Sequence, residues 1–287
     1  MSNYDSHFII QKLYNFSSTE IKIIPKNTEK YLSFSVGCVH FKDSYQFLSE
    51  SLAILVQNLM DKGPDHFVYI NKFIKDDEQR ELLKQKGIFP YSYMKDVRVL
   101  RKKHLPKKEE FFNDLTCQHI TKDEYDFAQK VWDSFSCKTF QDYMEIYLLA
   151  DCLLLCDVFE NFRSNCLQQY NIDPCYYFSA PHFTFDAFLR HSSLTLELLS
   201  DINQYLFIIK GIRGGMSMVS KRYAVANNKY VEGYNSSKSS SFILYLDANN
   251  LYGRAMQEYL PWKNFEWMSP HQLNYDFIKG LEPEGEV

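Results

Sequence analysis

Phe242-Ile243-Leu244-Tyr245-Leu246-Asp247-Ala248-Asn249-Asn250-Leu251-Tyr252-Gly253 runs five apolar residues straight into one carboxylate. A short continuous apolar run bounded by turn residues reads as a fully buried strand. The five serines around Lys238 just before it have a loop composition. The pattern places Asp247 at the carboxyl end of a central strand, where open α/β sheets hold their ligands. Ala248-Asn249-Asn250 then turns the chain, and residues 251–256 start a short helix. On spacing alone Asp247 has two readings. It ends a strand and caps a turn, which is ordinary for Asp beside Asn and is the reading that spacing favours. Alternatively it binds a catalytic divalent metal, as carboxylates do for hard cations.

The 287 residues make one large domain or two modest ones, long enough to bury a core. A hydrophobic content of 45% with 24% charge is that of a globular chain. The 21 Tyr and 23 Phe suit core packing or base stacking, and composition does not choose between them. A net charge of −4 argues against a basic nucleic-acid coat, so any such surface must be local. Seven Cys at 38, 117, 137, 152, 156, 166 and 175 include no C-x-x-C pair, which leaves a zinc site and an even disulfide framework without support. A reducing, intracellular compartment fits. Cys152 and Cys156, one helical turn apart in an apolar run, read as buried small hydrophobes. No apolar stretch has the length of a membrane span, and no signal-peptide core opens the chain.

Along the chain, residues 4–14 read as a helix with Asp5 or Ser6 at its N-cap. Alternating apolar residues predict strands over 16–24 and 31–41, with Gly37 as a bulge or turn. Helices are expected over 48–60, stopped by Gly63-Pro64, and over 76–86, capped by Gly87. Residues 89–120 look irregular, and 95–108 hold seven basic residues against Asp96 alone, by default a solvated loop. Thr121 and Glu124 have capping-box spacing and open a helix to about 135. A longer helix runs over 139–170 to a stop at Asp173-Pro174. Further helices are expected over 179–189, burying Phe183, Phe185 and Phe188, and over 201–209, stopped by Gly211. Patterning thins between about 190 and 240, which is the expected boundary.

Within the long helix, Tyr147 and Asp151 are i,i+4 and share a face. Asp151 stands among apolar residues, so it either faces solvent or must be neutralised, hydrogen-bonded or metal-bound. Near the start, Tyr4-Asp5 offers a second carboxylate, which as a bare residue is a helix cap. Lys210-Gly211-Ile212-Arg213-Gly214-Gly215 offers glycines at which a phosphate can come close to backbone, or a plain turn. Residues 203–231 carry Lys210, Arg213, Lys221, Arg222 and Lys229 with no acid, a local positive patch suited to a nucleic-acid backbone. Asp76-Asp77-Glu78 reads as a charged helix start.

Taken in order, these features resemble the protein-primed family B DNA polymerases, in particular those of large self-synthesising DNA transposons and related viruses, over essentially the whole chain. Asp247-Ala248-Asn249-Asn250-Leu251-Tyr252-Gly253 is similar to motif A, usually D-x-x-S-L-Y-P, with Asn250 for Ser and Gly253 for Pro. The resemblance implies that Asp247 binds both metals of a Mg²⁺ (or Mn²⁺) pair. It also implies that Leu251 and Tyr252 bind the nucleotide, with Tyr252 under the sugar excluding ribose. Tyr147-x-x-x-Asp151 resembles the third motif of the 3′–5′ proofreading exonuclease, where the Asp holds metal and the Tyr orients the attacking water. Tyr4-Asp5 resembles the end of the second, with Asp5 as metal ligand. Arg213-Gly214-Gly215 resembles the Tyr-x-Gly-Gly segment that grips single-stranded DNA, with Ile212 in place of the Tyr; Lys221 and Arg222 lie in the same patch. Ser51-Leu52-Ala53-Ile54-Leu55 echoes a segment of the family near the primer strand.

The departures shape the expectation. No Asp-x-Asp follows Asp247, the Lys-containing triphosphate motif is absent, and no Asp-x-Glu precedes Asp5. Two-metal transfer needs ligands on both sides of the ions. The expected architecture is α/β with a central mixed sheet. Residues 1–190 are an incomplete RNase H-like exonuclease domain, 191–240 a connecting segment with the Arg-Gly-Gly DNA-binding loop, and 241–287 the start of a polymerase palm. The resemblance implies a polymerase fragment that neither polymerises nor proofreads alone. Its partners are primer-template and single-stranded DNA, deoxynucleoside triphosphates and a terminal protein primer, without a membrane, in the nucleus for a transposon enzyme. The competing reading is a non-enzymatic DNA-binding remnant. Asp5 and Asp151 are expected to converge.

Overall fold

Residues 5–14 and 20–280 are described by the computed structural model, which combines α-helices with one small sheet. Two units divide the chain, Met1–Ser193 and Leu194–Val287.

The first unit opens with helix α1 (Asp5–Tyr14). His7 Nε2 lies 2.8 Å from the Glu29 carbonyl, at the turn between the first two strands. Strands β1 (Ile21–Pro25), β2 (Tyr31–Val36) and β3 (Val39–Lys42) form an antiparallel sheet in that order. The expected 31–41 strand is thus two strands. Gly37 takes a left-handed φ of 57°, which glycine adopts without steric cost, and a two-residue loop folds Val36 against Val39. Phe34 is buried and stacks on Phe41 at 4.5 Å. The expected central mixed sheet is, among the described residues, this antiparallel one. The expected 16–24 strand is seen from Ile21; residues 15–19 lie outside the described ones.

Helix α2 (Leu52–Lys62) begins four residues later than the apolar stripe suggests, because Ser51 caps it, accepting from the Ile54 N–H. Leu48 stays outside the helix yet packs on the same core. Gly63 ends the helix at φ 128°, as its Gly-Pro signal predicts. Helix α3 (Val68–Phe73) has no signal in the sequence; α4 (Asp77–Leu83) starts at the Asp76 cap, which accepts from Gln79 N–H at 2.9 Å. The stretch 89–120 is irregular, in short 3-10 turns. Helix α5 (Lys122–Ser134) carries the predicted capping box of Thr121 and Glu124.

Helix α6 (Phe140–Tyr170) has 31 residues, roughly 46 Å of axis. Thr139 and Asp142 cap its start, and Asn171 in the left-handed region ends it, two residues before Asp173-Pro174. Its residues enter three apolar clusters. Ala150, Leu153, Leu154 and Val158 meet α2, α3 and α4; Phe140 and Tyr143 meet Phe111, Ala128 and Val131; Cys166 meets Phe183 and Ala187 of α7 (Ala180–Ser192). Cys152 and Cys156 are exposed, contrary to the expectation that both are buried, because the buried positions 143, 147, 150, 154 and 158 leave them on the other face. In α7 only Phe183 of the three phenylalanines is buried. Ala187 completes its face one turn on, which turns Phe185 and Phe188 outward.

The second unit holds α8 (Ile202–Gly211), α9 (Leu251–Met256) and α10 (Tyr275–Gly280). Asp201 caps α8 and also accepts from the Trp267 indole N–H at 3.0 Å, beside an edge contact of Trp267 with Phe207. The Asn227 amide ties up the serine-rich loop, donating to the carbonyls of Asn235 and Ser239 at 3.1 Å each. The expected central strand at 242–246 does not form. Its five residues are exposed, and the ladder stops at an isolated Asn227–Ser241 bridge. A strand needs a partner for its alternate N–H and C=O groups, and no described residue supplies one. No described helix is long and apolar enough to cross a membrane.

Asp157, on α6 and fully buried, accepts from the N–H groups of Tyr69 at 2.6 Å and Ile70 at 3.1 Å. It caps α3 from a distance, since Phe67 at the helix start has no capping side chain. Burial pushes its carboxyl above the ordinary value, against the pull of the Tyr69, Ile70 and Val68 N–H groups. Asp157→Ala orphans those donors and should cost about 2–4 kcal/mol, with Asp157→Asn in between; urea melts of the three proteins check this. In the last turns of α6, Arg163 grips Asp173 just past the helix end, with Nε at 2.9 Å and Nη2 at 2.6 Å, which holds the Asp173 carboxyl below its ordinary value. The folded state therefore favours the ionised acid. Its contribution is full above the ordinary 3.8 and is lost as pH falls through the lowered folded value. Arg163→Met should lower the thermal midpoint at pH 7, and the gap to wild type should close on acidification to pH values below that folded value.

Candidate functional site

Tyr147 and Asp151 stand one turn apart on α6, as the spacing predicts, and the chain from Lys86 to Tyr91 runs past them. Three contacts hold that segment. The Tyr143 hydroxyl donates to the Ile88 carbonyl at 2.6 Å. Phe89 stacks on Tyr147 at 4.9 Å and on Phe140 at 5.5 Å. Gly87 lies so close to Tyr147 that a Cβ there would stand 3.0 Å from the ring; glycine permits the approach that brings Lys86 in.

The Lys86 ammonium donates to both oxygens of Asp151, at 2.6 Å to Oδ1, and to the Tyr147 hydroxyl, and sits 4.1 Å from the Tyr147 ring centre. Tyr91 brings a second hydroxyl to within 2.6 Å of that of Tyr147. Lys86 and Asp151 are each about a quarter exposed, so the pair opens to solvent on one side. Asp151 is therefore paired with a cation and hydrogen-bonded by it, at a place that also opens partly to solvent. Burial, then the Tyr91 hydroxyl and Asp151, push the Tyr147 phenol far above its ordinary value. It stays protonated at neutral pH and available as a donor. Lys86 and Tyr91 escaped the sequence reading because they lie 65 and 56 residues from their partners. Lys86 passed as the tail of a helix; the nearest signal was Gly87 directly after it.

The other expected site residues are placed separately. Of Asp5 the structure describes only the backbone, as the first residue of α1; its side chain and Tyr4 lie outside the described residues, and so does the expected convergence with Asp151. In the second unit, Asp247 is exposed and makes no hydrogen bond or ion pair among the described residues. It does not end a strand, because residues 242–246 are not one. The turn after it does form. Asn250, at φ 56°, caps α9 by accepting from Gly253 N–H at 3.2 Å, and Leu251 and Tyr252 in α9 are exposed. A Cβ on Gly253 would run into the Asn250 side chain, so a larger residue there requires the capping side chain to shift. Arg213, Gly214, Gly215, Lys221 and Arg222 lie in exposed, irregular chain, and a Cβ on either glycine meets nothing within 4 Å.

No group of three or more His, Cys, Asp or Glu capable of holding a metal occurs among the described residues. Asp151 is one carboxylate already met by an ammonium, and Asp247 gathers no second ligand. The described residues thus do not fit a two-metal site at either place, which needs several oxygen ligands around each ion.

A family model described as DNA polymerase type B, organellar and viral, matches residues 1–278. No curated protein and no solved structure matches the chain.

The Lys86–Asp151 pair is open to a double-mutant cycle. Lys86→Met strands a partly buried carboxylate and should cost about 1–3 kcal/mol, whereas Lys86→Met with Asp151→Leu should recover most of that loss. Chemical denaturation of the four proteins reads the coupling.

Proposed function

This chain belongs to the organellar and viral type B DNA polymerases, and from that premise we propose that it is a part of a protein-primed replicative polymerase that also carries 3′–5′ proofreading. The family implies DNA and deoxynucleoside triphosphates as partners; a terminal protein primer is part of the proposal. The observation that carries the reading is the match across residues 1–278. It spans the Tyr147–Asp151 cluster, the Arg-Gly-Gly segment and the Asp247 turn alike.

In this reading, residues 1–190 are the RNase H-like exonuclease region. Support comes from an antiparallel sheet followed by helices, with Tyr147 and Asp151 on one helical face and a cation between them. Asp151 accepts, Tyr147 donates through a phenol that stays protonated, and Lys86 holds both in place beside a solvent-facing opening. Such a set orients a water or a 3′-terminal phosphate by hydrogen bonds, with the ammonium offsetting phosphate charge. Asp5 belongs to the same region. Residues 191–240 contact single-stranded DNA through Arg213, Gly214, Gly215, Lys221 and Arg222, and 241–287 open the palm, with Asp247, Leu251 and Tyr252 facing the nucleotide. Mg²⁺, or Mn²⁺, is the cofactor the family implies.

The test is primer extension and 3′-end degradation with Mg²⁺, on these 287 residues and on a version carrying any in-frame flanking sequence. Each is assayed beside its Asp247→Ala and Asp151→Asn variants. The expected result is extension by the longer wild type alone, lost in Asp247→Ala. Degradation should drop by ~10²-fold or more in Asp151→Asn, the scale of a lost acid–base or orienting group. Absence of both activities from the longer protein overturns the catalytic reading and leaves a DNA-binding remnant.

A further inference from the structure

The basic run at 95–108 plays no part in the sites above. Lys95, Arg101, Lys103 and Lys107 are exposed and form no ion pair among the described residues, whereas Arg98 is spent on Asp96 at 2.7 Å. The acids nearby are partly engaged as well: Glu110 accepts from the Lys107 N–H at 2.7 Å.

Four observations set this stretch apart from a plain solvated loop. Its frame is fixed. Residues 97–101 form a 3-10 turn, Val99, Leu100 and Leu105 pack on the core of the first unit, and the Lys102 carbonyl accepts from the Phe140 N–H at 2.8 Å at the start of α6. One of its cations, Lys95, lines an open cleft of about 410 Å³ together with Tyr93, Val99, Phe112, Glu110 and Asp114. The Lys102 ammonium donates to the Tyr93 hydroxyl at 2.5 Å and sits 4.7 Å from its ring centre, leaving an aromatic edge flanked by charge. Finally, one three-residue turn, Tyr91–Tyr93, carries both the Tyr91 hydroxyl that meets Tyr147 and the Tyr93 ring of the cleft.

We propose that this surface of the first unit binds single-stranded nucleic acid next to the Lys86–Tyr147–Asp151 cluster, with phosphates on Lys95, Arg101 and Lys103 and one unpaired base in the Tyr93–Phe112 cleft. Unpaired cations at short spacing match a phosphate backbone, and an aromatic-walled cleft takes a base only when it is free of a complementary strand. An acidic peptide uses the cations but gives the cleft no planar group to hold. The partner's being DNA rests on the proposed polymerase reading; the surface itself rests on the geometry.

The test is fluorescence anisotropy with a labelled mixed-sequence single-stranded DNA across a salt series, using the whole chain. Its arms are wild type, the triple variant Lys95→Gln, Arg101→Gln, Lys103→Gln, and the charge-keeping triple Lys95→Arg, Arg101→Lys, Lys103→Arg. All three side chains are exposed, so thermal midpoints should match. The neutral triple should bind at least tenfold more weakly near 0.1 M salt, with a log–log salt slope smaller by about 2, the value for three lost single-strand contacts. The charge-keeping triple should bind as wild type does. Unchanged affinity in the neutral triple, with wild type binding, overturns the surface and leaves the polymerase reading standing. No binding by wild type overturns both. An equal loss toward a poly-glutamate peptide shows a general anion face and overturns the nucleic-acid assignment.

Discussion

Carboxylates on or beside the buried face of a long helix each need an answer, and in this protein the answers build the first unit. Helix α6 carries Asp151 and Asp157 among residues that enter its core. An unmet carboxylate there costs far more than a typical contact returns. Asp157 is met by the first N–H groups of α3, which fixes where that short helix docks. Asp151 is met by Lys86, which draws residues 86–91 along the helix and seats Phe89 against Tyr147. Just past the helix end, Asp173 is met by Arg163. Packing then fills the space between these fixed points in three apolar clusters.

This explains what could be read in advance. Local signals held: the Thr121–Glu124 capping box, the 139–170 helix, the Gly63-Pro64 stop and the short helix after Asn250 are all written within a few residues of where they act. Apart from the local Ser51 cap that delays α2, and α4 ending at Leu83 before Gly87, what failed depended on distance or on a partner. Helix α3 is too short for periodicity to mark it, and its cap comes from 88 residues away. Phe185 and Phe188 looked buried because phenylalanines usually are, but one helical face has room only for Phe183 and Ala187. The 242–246 run looked like a central strand because apolar composition was read as burial; without a neighbouring strand its residues are exposed.

The candidate site divides in the same way. The Tyr147–Asp151 pair was legible because i,i+4 spacing on a helix is a geometric statement. Its cation was not, since nothing local ties Lys86 to Asp151. The Lys86 contact also changes the chemistry, from a lone buried acid to an acid, a phenol and an ammonium sharing one opening. The turn at 248–250 and α9 formed as read, while Asp247 beside them is solvent-exposed, so the sequence signal there defines a turn more firmly than a metal site.

The central claim is that a DNA 3′ end meets the Lys86–Tyr147–Asp151 cluster. Its most direct test is photo-crosslinking of a single-stranded DNA bearing a 3′-terminal 4-thiothymidine, followed by peptide mapping. The account predicts crosslinks in the segments 86–91 and 147–151, weakened by Asp151→Asn. Crosslinks confined to other segments, with these two unlabelled, would contradict it.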